Sequence, residues 1–150
     1  MLEGRRRIAI AGLAVAAALL FCAVRSTQAP PAGPVAVPWD QVRCARCGML
    51  VSERGFAAQL HMGDGGILHF DDPGCLLLHE HESAPEDARA YFREMHGDAW
   101  LSRAEAGFVP AETTPMGYGL GAVERSTAGA LSPEAALAHA LARERARRSP

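Results

Sequence analysis

The feature that most constrains this chain is where its apolar residues are collected. Arg5, Arg6 and Arg7 precede an apolar run from Ile8 to Val24, and Arg25 closes it. That run of 17 residues lies at the short end of what crosses a bilayer, about 17–25 residues. A basic segment followed by an apolar one is the pattern of an export signal. The positive-inside rule holds the arginines in the cytoplasm, which places everything after Arg25 outside it. The segment can end in three ways: as an uncleaved anchor, by cleavage near Thr27-Gln28-Ala29, or by acylation of Cys22 in Leu19-Leu20-Phe21-Cys22. Pro30 is a poor context for the cut, and Phe21 is large for the residue before a lipidated cysteine. The plain structural alternative, a buried helix of a soluble protein, fits the flanking arginines less well.

Much of the 49% hydrophobic content sits in that run. What remains is rich in Ala and Gly and supports one modest core. We expect an anchor over residues 1–25, a Pro-rich linker over 26–38 with polyproline character, one domain over 39–145 and a solvated tail over 146–150. Beyond residue 29 the chain holds 11 basic and 16 acidic residues, a net charge of -5. Nucleic acid needs a basic patch, so a mildly acidic domain argues against it and fits a basic partner face instead. There is no lysine, which removes amine chemistry.

Residues 39–49 read as a loop. Phe56–Met62 alternates loosely as a strand, Gly63-Asp64-Gly65-Gly66 marks a turn, and Ile67–Phe70 is the return strand of a hairpin. Asp71 or Asp72 can cap a helix with Pro73 in its first turn, running through Cys75 to His79. We expect a loop over His79–Asp87, and a short helix or a strand over Ala88–Met95. A strand lies within Ala99–Val109, and strand character resumes at Ala122–Arg125. Ser132-Pro133-Glu134 opens a last helix that ends in arginines, suited to the negative end of its dipole. The expected fold is α+β, a small domain of paired β-hairpin–helix units behind the N-terminal membrane anchor.

The strongest chemical signal is Cys44-Ala45-Arg46-Cys47-Gly48-Met49. Two thiols two residues apart in a reversing loop converge on one small ion. Arg43 and Arg46 should favour the thiolate, which is the metal-binding form. Met49 adds a thioether, and thiolate with thioether is a soft set that selects Cu(I) over hard cations. Other readings of the pair are a structural disulfide and a redox CxxC. Cys75 and His79, one helical turn apart, would complete a closed tetrahedral zinc site with Cys44 and Cys47, although Cys75 reads more readily as a small buried hydrophobe. Met116, between Pro115 and Gly117, is a candidate thioether ligand from a distant segment. His61 and Met62 end the first strand, and alternation turns only one of them inward. No hydrolytic arrangement is present, so the chain is not expected to be an enzyme.

Three segments together resemble the NosL family, accessory proteins of nitrous oxide reductase assembly. They are Cys44-Ala45-Arg46-Cys47-Gly48-Met49-Leu50-Val51, Phe70-Asp71-Asp72-Pro73-Gly74-Cys75-Leu76-Leu77 and Thr114-Pro115-Met116-Gly117-Tyr118-Gly119. The resemblance implies a membrane-attached periplasmic Cu(I) chaperone. It would hand copper to the reductase maturation machinery, an ABC-type transporter complex included, or to another cuproenzyme. It implies Cys47 and Met49, with Met116, as copper ligands; Cys44 carries over less directly. Family members are commonly lipoproteins, and Phe21 departs from that pattern.

Overall fold

The computed structural model describes residues 16–17, 19–20, 31–83 and 85–149. Cys22, the cleavage positions and most of the expected anchor lie outside the described residues. Among the described residues, no helix is long and apolar enough to cross a membrane.

From Pro31 onward the described residues form an α+β domain. After a 3-10 turn at Arg54–Phe56 come β1 (Ala58–His61), β2 (Ile67–Phe70), helix α1 (Pro73–Ser83), β3 (Arg89–Arg93), β4 (Trp100–Ser102), β5 (Ala106–Pro110), β6 (Leu120–Glu124) and helix α2 (Pro133–Arg148). Strands β2-β1-β3-β4 make one antiparallel sheet and β5-β6 a second. A hairpin followed by a helix therefore occurs twice, as β1-β2-α1 and β5-β6-α2, and the β3-β4 hairpin extends the first sheet.

Each element has a local cause. The β1-β2 turn uses Gly65 at φ 91, and Met62 N–H donates to the Gly66 carbonyl at 2.8 Å. A positive φ is costly for any residue with a Cβ, so glycine takes the position. Helix α1 starts because the Asp72 carboxylate accepts from the Gly74 N–H at 2.8 Å while Pro73 fills the first helical position. Ser132 caps α2 through the Ala135 N–H, with Pro133 and Glu134 following.

In the first sheet side chains alternate between faces. Ala58, Leu60, Phe70 and Phe92 share the face against α1, and all four are buried. Phe92 meets Phe108 of β5 edge-on at 5.0 Å between ring centroids, joining the two sheets. The other face carries Gln59, His61, His69 and Tyr91. Gln59 exchanges two hydrogen bonds with the Val35 backbone, at 3.0 and 2.7 Å, and Val37 is buried. The last residues of the Pro-rich segment thus lie on the sheet, ahead of the boundary expected at Trp39.

Three local expectations are corrected. The charged stretch after His79 stays helical to Ser83, because Arg103 holds Glu80 at 2.6 Å and Arg46 holds Glu82 at 2.5 Å. Ala99–Val109 contains two strands, turned at Arg103–Glu105, where the Glu105 carboxylate accepts from the Ser102 N–H and hydroxyl. Helix α2 runs on to Arg148. Residues 89–93 are a strand, with β1 as their partner.

Phe92 is wholly buried at the junction of the sheets. Truncation to Ala should destabilise the domain by about 3–5 kcal/mol, the usual range for a buried aromatic. Urea unfolding of Phe92→Ala against the unaltered chain measures it, and a loss below about 1 kcal/mol would show that the sheets are not joined there.

Candidate metal centre

The segment Arg43–Leu50 is a narrow hairpin. Arg43 and Leu50 form an isolated antiparallel bridge, the Cys44 N–H donates to the Met49 carbonyl at 2.7 Å, and the Gly48 N–H returns to the Cys44 carbonyl at 3.0 Å. Gly48 sits at φ 79, which allows the reversal. The hairpin lies along β2, the edge strand of the first sheet, where Ala45 N–H donates to the His69 carbonyl at 2.9 Å. This contact aims the loop at the start of α1, which follows β2 directly.

Cys75 stands in the first turn of α1, and its thiol joins those of Cys44 and Cys47. The three sulfur atoms lie within 4.8 Å of one another, and all three cysteines are free. Cys44 is 3% exposed and Cys75 0%, whereas Cys47 is half-buried. A trio of thiols at this spacing can converge on one soft metal ion.

The three thiols are electrostatically unequal. Cys44 is pulled down to about 5, first by the hydrogen bond from Cys75 and then by the backbone N–H groups of Cys47, Asp71 and Arg46, against the opposing effect of burial. Cys75 is driven far up by its hydrogen bond to Cys44, by burial and by the neighbouring negative charges. Burial raises Cys47. One thiolate thus rests among backbone donors while two protonated thiols face it. The arginines expected to lower these thiols act elsewhere: Arg46 pairs with Glu82, and Arg43 donates to the Gly48 carbonyl at 2.8 Å.

Met116 comes from the turn between β5 and β6. The Gly117 N–H donates to the Thr114 carbonyl at 3.0 Å, with Gly117 at φ 66 and Gly119 at φ 72. The Asp72 carboxylate accepts from the Met116 N–H at 3.0 Å, and its neighbour Asp71 accepts from Ser52 N–H at 2.9 Å. Burial raises both carboxyls above their usual range. Gly74 lets Tyr118 press onto the head of α1, since a Cβ there would lie 2.4 Å from the tyrosine ring. Cys47 and Met116 line one open cavity of about 480 Å³, together with Arg46, Tyr118, Glu144 and Arg148. Met49 is 39% exposed on the hairpin.

Cys44 and Cys47 are therefore brought together, Met116 borders the same cavity as Cys47, and Met49 is presented at the surface of the loop. Cys75, read from sequence chiefly as a core residue, is both: fully buried and one of the three clustered thiols. The signal for it was its place one turn into a helix headed by Asp72-Pro73. His79 stands outside the trio, with its ring 5.2 Å from that of Phe70, so the described residues do not assemble the Cys₃His set. His61 is buried on the opposite sheet face, its Nε2 3.0 Å from the Gln59 oxygen, and Met62 packs against the core at the strand's end. Comparison with protein-family models, curated proteins and solved structures gives no match for this chain.

Because Cys44 already carries the negative charge at neutral pH, a metal ion ligated by Cys47 or Cys75 must displace a proton from each. Apparent affinity for a thiophilic ion should rise about tenfold per pH unit for each such proton between pH 6 and 8. Competition titration against a chelator that does not itself titrate in that window measures the slope. Cys47→Ala, which keeps the backbone donor to Cys44, should reduce it; a pH-independent affinity would leave Cys44 as the sole thiol ligand.

Proposed function

We propose that the chain is a Cu(I) carrier of the NosL kind, tethered through its N-terminal segment on the periplasmic side of the membrane. It performs no covalent chemistry. It holds the ion among Cys44, Cys47, Met49 and Met116, with Cys75 as a further thiol, and passes it on by ligand exchange. The observation that carries this reading is the trio of free sulfurs within 4.8 Å, one of them open to a cavity that Met116 also lines. Thiolate and thioether donors gathered at one place favour monovalent copper over harder ions. The half-buried Cys47 supplies the access that exchange requires. The three quoted sequence segments support the family assignment, and with it delivery to nitrous oxide reductase maturation, through the ABC-type transporter complex, or to another cuproenzyme.

A second reading has its own observation. Three cysteine thiolates are also the larger part of a structural zinc site, and the burial of Cys44 and Cys75 suits a closed one. In that case the chain is an interaction module and the methionines have no role in the metal's hold.

Titration with Cu(I) under reducing conditions separates the two. The carrier binds one Cu(I). Cys47→Ala should weaken binding most, by about a hundredfold or more for a lost thiolate, while Met49→Ala and Met116→Ala should each cost about tenfold, comparable to 1.4 kcal/mol. Cys75→Ala should weaken binding and His79→Ala should leave it unchanged. Zinc retained against a Cu(I) excess, with both methionine variants indifferent, would establish the interaction module instead.

A further inference from the structure

Charge is distributed unevenly around the mouth of the cavity that holds Cys47. Arg46 and Arg148 line it, Arg147 donates to the Met116 carbonyl at 2.8 Å, and Arg43 braces the hairpin through Gly48. Against these four stand Glu82, which pairs with Arg46, and Glu144, which pairs with Arg148 at 2.9 Å. Counted over these surface side chains the mouth is +4 − 2 = +2, with Asp71, Asp72 and Cys44 buried beneath it. Beyond residue 29 the rest of the chain is left with 7 basic and 14 acidic residues, or -7, from totals of 11 and 16. On the hairpin that carries Cys47, Met49 and Leu50 are 39% and 41% exposed, the two exposed large apolar side chains among the described residues from Pro31 onward. An apolar pair on the hairpin of a locally basic opening, on an acidic domain, is a surface with a definite complement.

We infer that this mouth is the docking face for an acidic protein surface that carries a sulfur ligand of its own. The inference rests on the carrier reading and deepens it. The sequence alone, with its overall acidic balance, pointed to a basic partner; the exposed side chains around the point of exchange carry the opposite sign. Approach of an acidic face is favoured at the mouth and opposed over the rest of the surface, so charge selects the one orientation in which an incoming sulfur reaches Cys47. Such steering acts chiefly on the encounter rate and is screened by salt. Met49 and Leu50 would pack against an apolar spot inside the acidic rim of that partner.

The test uses the full chain and two synthetic peptides, each with a single methionine. One is flanked by Asp and Glu, the other by Lys at the same positions. In metal-free, reduced protein labelled with nitrogen-15, the acidic peptide should shift the amide signals of Gly48, Met49, Gly117 and Tyr118, and the basic one should not. Arg148→Glu should weaken acidic-peptide binding about tenfold, whereas Arg89→Glu, the same charge change at an exposed position on β3, should leave it nearly unaltered. Binding should fall steeply by about 0.5 M salt. On copper-loaded protein the acidic peptide should take up Cu(I) about tenfold faster than the basic one, within the range that steering provides.

Equal binding of the two peptides, preference for the basic one, or equal effects of the two substitutions would overturn the inference. So would inorganic phosphate alone reproducing the shifts, since that describes a small-anion site. Failure of the chain to load Cu(I) at all would remove the carrier reading, and the metal-free measurement would still decide the docking face.

Discussion

Asp71 and Asp72 are the joint on which the site is hung. They are adjacent and both buried, and each holds a different loop. Asp71 accepts from the backbone of Ser52, in the segment that leaves the cysteine hairpin. Asp72 accepts from Met116 and Gly74, so it fixes the distant methionine turn and begins the helix that carries Cys75. Carboxylates lose much hydration when buried, and the hydrogen bonds from backbone donors offset that cost. Here those same donors belong to the segments bearing sulfur. The price of burying two acids is thus met by the act of assembling two loops and a helix start in one place.

This dependence explains what could be read from the letters and what could not. Both helix starts were legible because Asp72-Pro73 and Ser132-Pro133 act through their own neighbours. So was the first hairpin, whose turn is set by Gly65. The far end of α1 was not: His79–Ser83 looks like a solvated loop, and ion pairs to Arg46 and Arg103, remote in sequence, keep it helical. Strand β3 was undecidable because its period is weak and its place is set by pairing with β1. Cys44 and Cys47 declared themselves by spacing. Cys75 did not, since a lone cysteine before three leucines has the pattern of a core residue, and only the contact of the hairpin with β2 brings it to the other two. The role first given to Arg43 and Arg46 fails for a related reason. Sequence proximity does not fix where a long side chain points, and backbone N–H groups with Cys75 do the work instead.

The unequal burial of the three cysteines has a mechanical consequence. Cys75 is rooted in a helix packed between the strands and α2, and Cys44 is locked by the hairpin's backbone hydrogen bonds. Neither can move far without disturbing packing at crystal-like density. Cys47 lies in the turn of the hairpin and Met49 just after it, both more exposed than Cys44, and Met116 lies in a turn with two glycines at positive φ. The fixed sulfurs are the deep ones and the adjustable sulfurs are those near solvent. A metal ion held here would therefore exchange its ligands from the outside inward, with Cys47 the first thiol met by an incoming donor.

That order bears on why the site need not be closed. A fourth internal ligand such as His79 would complete a tetrahedron and make release slow, as structural zinc sites require. The ring of His79 is instead committed to Phe70, and the space above Cys47 is occupied by a cavity bordered by a thioether and charged side chains. Tyr118 is pushed up to about 12 by burial and so stays a neutral hydrogen-bond donor to Glu144 at any physiological pH. It therefore offers the ion no competing anionic oxygen. Glu144, the carboxylate that lines this cavity, is likewise committed to Tyr118 and Arg148, so sulfur would be the least encumbered donor there for an ion.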